Sequence, residues 1–230
     1  PRAFEEIGER IRRQLATGRL KSGDKLPAER ELDEQLKVSR AALREALRSL
    51  EIAGVIALKK GVKGGAFVQS GDPANMTRVM QDLVHLGAIS LGDLTEARLL
   101  IQSGVVWLAC ERATEADIDA IGRNIERTAE MSRLGRGEER RAAIAEFYRL
   151  LALATRNEVL KILVDSITDI LVRFLRGVPE DIELPGLIAH RRRFFRYLKA
   201  RDSANATKEL ERHLKELHDH LASRSRQEMV

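Results

Sequence analysis

The chain has 230 residues and a net charge of +5, unevenly spread: residues 1–70 hold 15 Lys+Arg against 10 Asp+Glu, and the remainder balances 25 against 25, which places a polyanion partner at one end only. Its single cysteine, Cys110, excludes an internal disulfide and fits a reducing compartment; no apolar run reaches the ~18 residues of a membrane span and the first residues carry no signal-peptide pattern, so a cytoplasmic location is expected. Leucine, alanine, arginine and glutamate dominate and only 4% of residues are aromatic, which favours helix, in one large or two small domains.

The first element is an amphipathic helix from Phe4 to Ala16, with Phe4, Ile7, Ile11 and Leu15 on one face. Gly18 ends it, and Gly23-Asp24 marks a turn. Pro27 suits a first helical position, where its missing N–H costs nothing. Ala28, Leu32 and Leu36 then supply an apolar face and Arg30 points outward. A short Lys37-Val38 turn leads to Ser39, whose hydroxyl can accept from the free N–H groups of a new helix. In that helix Leu43, Ala46, Leu47 and Leu50 share one face and Arg40, Arg44 and Arg48 form a stripe on another. Arginine forks fit guanine edges and phosphates, so a helix-turn-helix is predicted, the second helix entering a major groove.

After Gly54, Val55–Leu58 is too short for a helix and can pair with Ala66–Val68 as a hairpin. Lys59, Lys60, Gly61, Lys63, Gly64 and Gly65 lie at its tip, a basic, glycine-rich wing able to approach a minor groove. A lone arginine stripe is usually a solvated helix face. A helix, turn, arginine helix and basic wing in series point to DNA.

Ser70–Asn75 reads as a linker, with Gly71 and Pro73 as breakers. A helix follows from about 73 to 87. Further helices are predicted at about 91–113, 115–134, 138–155, 157–177, 184–200 and 202–223, broken at Thr114-Glu115, Gly135–Gly137, Arg156-Asn157, Gly177–Pro179 and Arg201-Asp202. Their apolar faces include Leu94, Leu99, Ile101, Val105 and Leu108, then Ile162, Val164, Ile167, Ile170 and Leu171, then Leu210, Leu214, Leu217 and Leu221. The expected fold is therefore mainly α: a winged helix-turn-helix over 1–70, a linker and connecting helix over 71–90, and an antiparallel bundle of six or seven helices over 91–230.

Residues 3–68 resemble the winged-helix domain of the GntR family of bacterial transcription regulators. The matching pieces are Gly18-Arg19-Leu20, Gly23-Asp24, Leu26-Pro27-Ala28-Glu29-Arg30-Glu31-Leu32, and Val38-Ser39-Arg40 followed by Leu43-Arg44-Glu45-Ala46-Leu47. The resemblance implies that Arg30, Arg40 and Arg44 contact DNA and that Gly64 and Gly65 approach the minor groove. Where the family's wing often reads Gly-Xaa-Gly-Thr, this one reads Gly61-Val62-Lys63-Gly64-Gly65-Ala66. Ser39, Arg48, Lys59, Lys60 and Lys63 complete the expected DNA-binding set.

Residues 91–223 resemble the FCD domain that marks the FadR subfamily, through Leu94-Thr95-Glu96-Ala97-Arg98, Phe147-Tyr148 with Asn157 nine residues on, and Ala200-Arg201-Asp202 with His213 eleven residues on. Most such domains hold a divalent metal through Asp-Xaa-Xaa-Phe-His and two later histidines, ligands that suit zinc or nickel. Here the aspartate position is Ile144, the first histidine position Tyr148 and the next Arg191; only His213 matches. His190 lies one residue from that position, a turn of about 100° that would aim it away from the pocket. No metal or other cofactor is expected.

Two readings of the pocket stand at this point. In one, Arg191 with Arg98, Tyr148 and His213 captures a small organic acid, since arginine binds carboxylates bidentately. In the other, Arg191 belongs to the solvated run Arg191–Arg193 and Tyr148 is core. His218 and His220 read as a polar terminus, and Cys110 as a core residue. The expected function is a DNA-binding regulator, a homodimer and a repressor, controlled by a small acidic effector. The alternatives are an acyl-CoA-responsive regulator, a constitutive DNA-binding dimer and a metal-dependent enzyme.

Overall fold

The computed structural model describes residues 3–61, 64–69, 74–174 and 186–227. The chain divides into two compact units, Pro1–Asn75 and Met76–Val230.

The first unit holds α1 (Ala3–Ala16), α2 (Glu29–Leu36), α3 (Arg40–Ile52) and the antiparallel strands β1 (Ile56–Lys59) and β2 (Gly65–Val68). Ile7 and Ile11 of α1, Leu32 of α2, Leu43, Leu47 and Leu50 of α3, and Ile56 and Val68 of the strands form one core. Leu43 has no exposed surface, and its truncation to Ala would cost about 2–5 kcal/mol. The strands pair Ile56 with Val68, Ala57 with Phe67, Leu58 with Ala66 and Lys59 with Gly65. Leu58 N donates to Glu51 Oε1 at 3.0 Å, tying the wing to the end of α3.

Pro27 does not open α2; Ala28 is the N-cap (φ −59°, ψ 149°) and the helix starts at Glu29. The preceding chain is drawn into the wing instead. Leu26 N donates to Ala66 O and Val68 N to Asp24 O, each at 2.8 Å, and Lys25 bridges to Phe67. This extended pairing delays the helix.

In the second unit, α4 (Ala74–His85) is followed by α5 (Leu91–Arg112), α6 (Glu115–Arg133), α7 (Gly137–Ala154), α8 (Glu158–Phe174), α9 (Leu187–Lys199) and α10 (Ser203–Gln227). The predicted helices are all present within a few residues of their expected ends. The predicted break at 177–179 falls outside the described residues. Capping explains the sharp starts: Ser90 with Asp93 opens α5 and Thr114 with Asp117 opens α6, both as capping boxes. The Asn157 side chain accepts from Val159 N and Leu160 N to open α8. At the other end of α5, Arg201 donates to Cys110 O at 3.0 Å and Ala113 O at 2.6 Å, satisfying carbonyls at the helix terminus.

α5 packs on α7, α8 and α10, while α9 lies between α6 and α10. Val105, Ile121, Ile125, Phe147, Leu151, Phe194, Leu198, Leu210 and Leu214 form the core. Cys110 is buried among them, and burial pushes its thiol up to about 11. α4 is apolar on its exposed side, where Met76, Val79 and Leu83 meet solvent, and it buries Thr77 and Gln81. Thr77 Oγ1 donates to Ser166 Oγ at 2.9 Å. Among the described residues no helix is long and apolar enough to cross a membrane.

Candidate nucleic-acid interface and effector site

Helix α3 is set by its two faces. Leu43, Ala46, Leu47 and Leu50 are buried, which forces Arg40, Arg44 and Arg48 to the exposed side. Ser39 caps the helix, accepting from Ala42 N at 3.2 Å. Two carboxylates of α2, which sequence reading did not single out, orient the arginines. Arg40 Nε donates to Asp33 Oδ2 at 3.1 Å and Arg44 Nε to Glu29 Oε2 at 3.0 Å. Both guanidinium groups are about three-quarters exposed, so each pair adds only about 0–1 kcal/mol to stability. Their effect is directional: the carboxylates take Nε and leave the terminal amino groups facing out. Arg30 is also exposed, 3.5 Å from Glu34. The α2 carboxylates were legible in principle as acids within reach of the arginine stripe, but only the helix crossing selects the partners.

The wing is built on glycine. A Cβ at Gly64 would stand 2.3 Å from Lys59 O and 2.8 Å from Gly61 O, and Gly65 has φ +136°. No side chain fits the first, and the second favours glycine. Lys59 and Lys60 are exposed; Lys63 lies outside the described residues.

In the bundle, Arg98, Tyr148, Arg191 and His213 come together. Arg98 Cζ lies 4.3 Å from the Tyr148 ring centre. Arg191 Cζ lies 4.2 Å from the Phe147 ring and 5.9 Å from that of Tyr148. Arg191 is only 2% exposed, so the reading of it as a solvated residue is overturned. It donates to Thr128 Oγ1 at 3.2 Å and Ile144 O at 3.1 Å, and its Nε has no partner. Among the described residues no carboxylate pairs with Arg191 or Arg98. Burial pushes the Arg191 pKa down to about 10, opposed by the Tyr148 hydroxyl and reinforced by Arg98. Burial, with Arg191, His190 and Arg98 nearby, also pushes His213 down to about 3. His213 is therefore a neutral imidazole with an unpartnered Nε2.

His190 departs from expectation. It is buried, and its ring centre is 5.1 Å from that of His213. The reason is the position of α9 between two neighbours: Arg191 faces α6 and α7, and His190, about 100° around the helix, faces α10. His190 Nδ1 lies 2.6 Å from Glu209 Oε1, and Nε2 2.9 Å from Glu216 Oε2. Gly186 makes room for that ring; a Cβ there would stand 3.2 Å from His190 Cδ2. Burial would raise the Glu209 carboxyl, but His190, Arg193 and Arg212 hold it below its ordinary value. His218 Nδ1 lies 3.1 Å from Thr95 Oγ1, so it docks on α5 instead of fraying, and the His220 side chain lies outside the described residues.

The divalent metal that the FCD resemblance implies does not fit these residues. A guanidinium stands where an imidazole would be needed, Ile144 and Tyr148 replace two donors, and both His190 nitrogens face carboxylates of α10. Among the described residues no three His, Cys, Asp or Glu side chains gather as a metal site. None of Arg98, Tyr148, Arg191 and His213 lines the open groove of about 910 Å³ between α6 and α9.

Comparison with known proteins matches residues 3–68 to the bacterial regulatory proteins of the gntR family and residues 93–216 to the FCD domain. The chain is 31% identical to the HTH-type transcriptional regulator YcbG of Bacillus subtilis, over 94% of this chain and 88% of that protein. It is 31% identical to the HTH-type transcriptional regulator LutR of the same organism, over 70% and 72%, and 32% identical to the Uxu operon regulator of Haemophilus influenzae, over 69% and 57%. Among solved structures it superposes on Streptococcus agalactiae GntR with TM-score 0.70 at 20% identity, covering 94% of this chain and 99% of that one.

Proposed function

We propose that this chain, which belongs to the GntR family of bacterial regulatory proteins and is a DNA-binding transcription regulator, is a FadR-type repressor controlled by a small organic acid. Residues 1–70 read the operator, 71–90 connect, and 91–230 bind the effector and pair two copies. Two recognition helices then enter successive major grooves about 34 Å apart on a roughly palindromic operator, in the bacterial cytoplasm. Exposed Leu100 (72%) and Trp107 (57%) on one side of α5, with Gly104 open between them, support a homodimer of this kind.

One observation carries the effector reading: Arg191 is buried, and neither it nor Arg98 has a carboxylate partner among the described residues. Burying an uncompensated charge is costly, and a ligand carboxylate would compensate it while taking the free Nε of Arg191. A ligand shifts operator affinity only if it binds the DNA-competent and incompetent arrangements unequally. The test pairs two measurements. Thermal shift with small mono- and dicarboxylates identifies the ligand, and anisotropy on a duplex selected in vitro by the protein follows release. A carboxylate that raises the melting temperature and weakens DNA binding in wild type but not in Arg191→Met supports the reading. DNA affinity unmoved by any acid returns the chain to a constitutive dimer.

A further inference from the structure

The outer face of the wing holds two residues, Lys25 and Phe67, that the expected DNA-binding set does not include, beside Lys59, which it does. Lys25 stands directly opposite Phe67 across the ladder, and Lys59 lies diagonal to Phe67 on the same face. The Lys25 ammonium is 5.6 Å and the Lys59 ammonium 4.7 Å from the Phe67 ring centre. Lys25 runs across Gly65, where a Cβ would stand 2.7 Å from its Cε and 3.4 Å from its Nζ. Lys25 thus reaches the end of the wing where Lys59 pairs with Gly65. Among the described residues no carboxylate pairs with either lysine.

We propose that Lys25 and Lys59, held on Phe67, form a phosphate clamp for the DNA backbone, with Lys25 a contact and Phe67 its positioning residue. Two cations brought to one ring repel each other, and a phosphodiester oxygen between them relieves that repulsion. A lysine stem is flexible; resting it on an aromatic face through a cation–π contact orders it before DNA arrives. The same geometry gives Gly65 a second role, since any side chain there would displace Lys25. The clamp carries no base information and sets the register of the wing along the duplex. It rests on the DNA-binding reading of this unit.

The experiment measures the salt dependence of binding, from 50 to 300 mM KCl, to the duplex selected in vitro by the wild-type protein. Each lost phosphate contact lowers the slope of log K against log salt by about 0.9, roughly fivefold in affinity at 0.15 M. Lys25→Gln is expected to lose one such contact and Lys25→Arg to keep it. Phe67→Leu is expected to behave like Lys25→Gln although the net charge is unchanged, and Phe67→Tyr like wild type. Lys161→Gln, on α8, is the charge control and should change nothing. If Lys25→Gln matches Lys161→Gln while Arg44→Gln still loses affinity, the clamp is wrong and the recognition helix stands. If Arg44→Gln is also without effect, the assigned DNA face is wrong and the clamp falls with it. A Phe67→Leu slope equal to wild type beside a reduced Lys25→Gln slope removes the positioning role.

Discussion

Replacing Arg191 with methionine should leave the ligand-free bundle about as stable as wild type while abolishing its response to acids. In the folded chain burial lowers the Arg191 pKa well below its ordinary value, to about 10. At 1.36 kcal/mol per unit, holding the guanidinium charged at neutral pH costs the fold about 3 kcal/mol relative to a solvated arginine. Methionine is flexible and fills the space between Phe147 and Tyr148. It gives up two charge-assisted hydrogen bonds, worth about 1.5 kcal/mol or more each, and the guanidinium contact with the Phe147 ring, but strands neither acceptor: Thr128 Oγ1 still donates to Asn124 O at 2.8 Å and Ile144 O lies within α7. The two sides offset, and the expected net change is within about 1 kcal/mol of zero. Urea unfolding followed by Trp107 fluorescence reports this, because Trp107 is the chain's single tryptophan and lies on α5 of the bundle. A saturating acid, at 100 times its Kd, should add about 2.7 kcal/mol to wild type and nothing to the variant. If Arg191→Met instead loses 3 kcal/mol or more without ligand, the guanidinium is a structural strut and the argument for a compensating carboxylate fails.

Three further outcomes are expected. Gly64→Ala drives a Cβ to within 2.3 Å of Lys59 O, so the wing must open at a cost of about 1–3 kcal/mol, seen as faster exchange of the Ala57 and Phe67 amides, which face each other across the hairpin, with the Trp107 transition unmoved. Trp107→Glu places a charge in the proposed pairing face and should weaken self-association by about 30-fold or more, the size of a buried aromatic anchor, in analytical ultracentrifugation; an unchanged dimer assigns pairing to another face. His213 has a folded pKa of about 3 against 6.5, so below pH 6.5 the unfolded state binds the extra proton and stability falls as pH falls, by about 2 kcal/mol at pH 5; comparing wild type with His213→Gln between pH 7 and pH 5 should isolate that loss, and an equal fall in both would refute it.

The helices were legible because their punctuation is local. Ser39, Ser90, Thr114 and Asn157 act on N–H groups two or three residues away, and the apolar stripes repeat at helical spacing, so the nearest neighbours in sequence carry the signal. The wing was legible in its hairpin but not in its third edge: Lys25–Leu26 pairs with β2 only because the fold brings it there, and no local pattern distinguishes that from a turn before α2. The proposed effector site divides the same way. That Arg191 replaces a metal ligand can be read from spacing, but whether it is solvated depends on what covers α9.

That dependence explains the two surprises of α9 together. A helix packed on one side only has one buried stripe, and on that assumption Arg191 and His190, about 100° apart, cannot both be interior. Packed between α6 and α10, α9 buries two stripes and gives each residue a different neighbourhood. Arg191 meets aromatic rings, a hydroxyl and a carbonyl, none of which neutralises it, whereas His190 meets Glu209 and Glu216. The chain therefore supplies carboxylates to the residue that needs them less, since a histidine can sit neutral, and withholds them from the guanidinium, which stays charged at neutral pH. A fold under selection for stability alone would place a neutral side chain at 191. The unbalanced cation is consistent with a site whose missing charge arrives with a ligand.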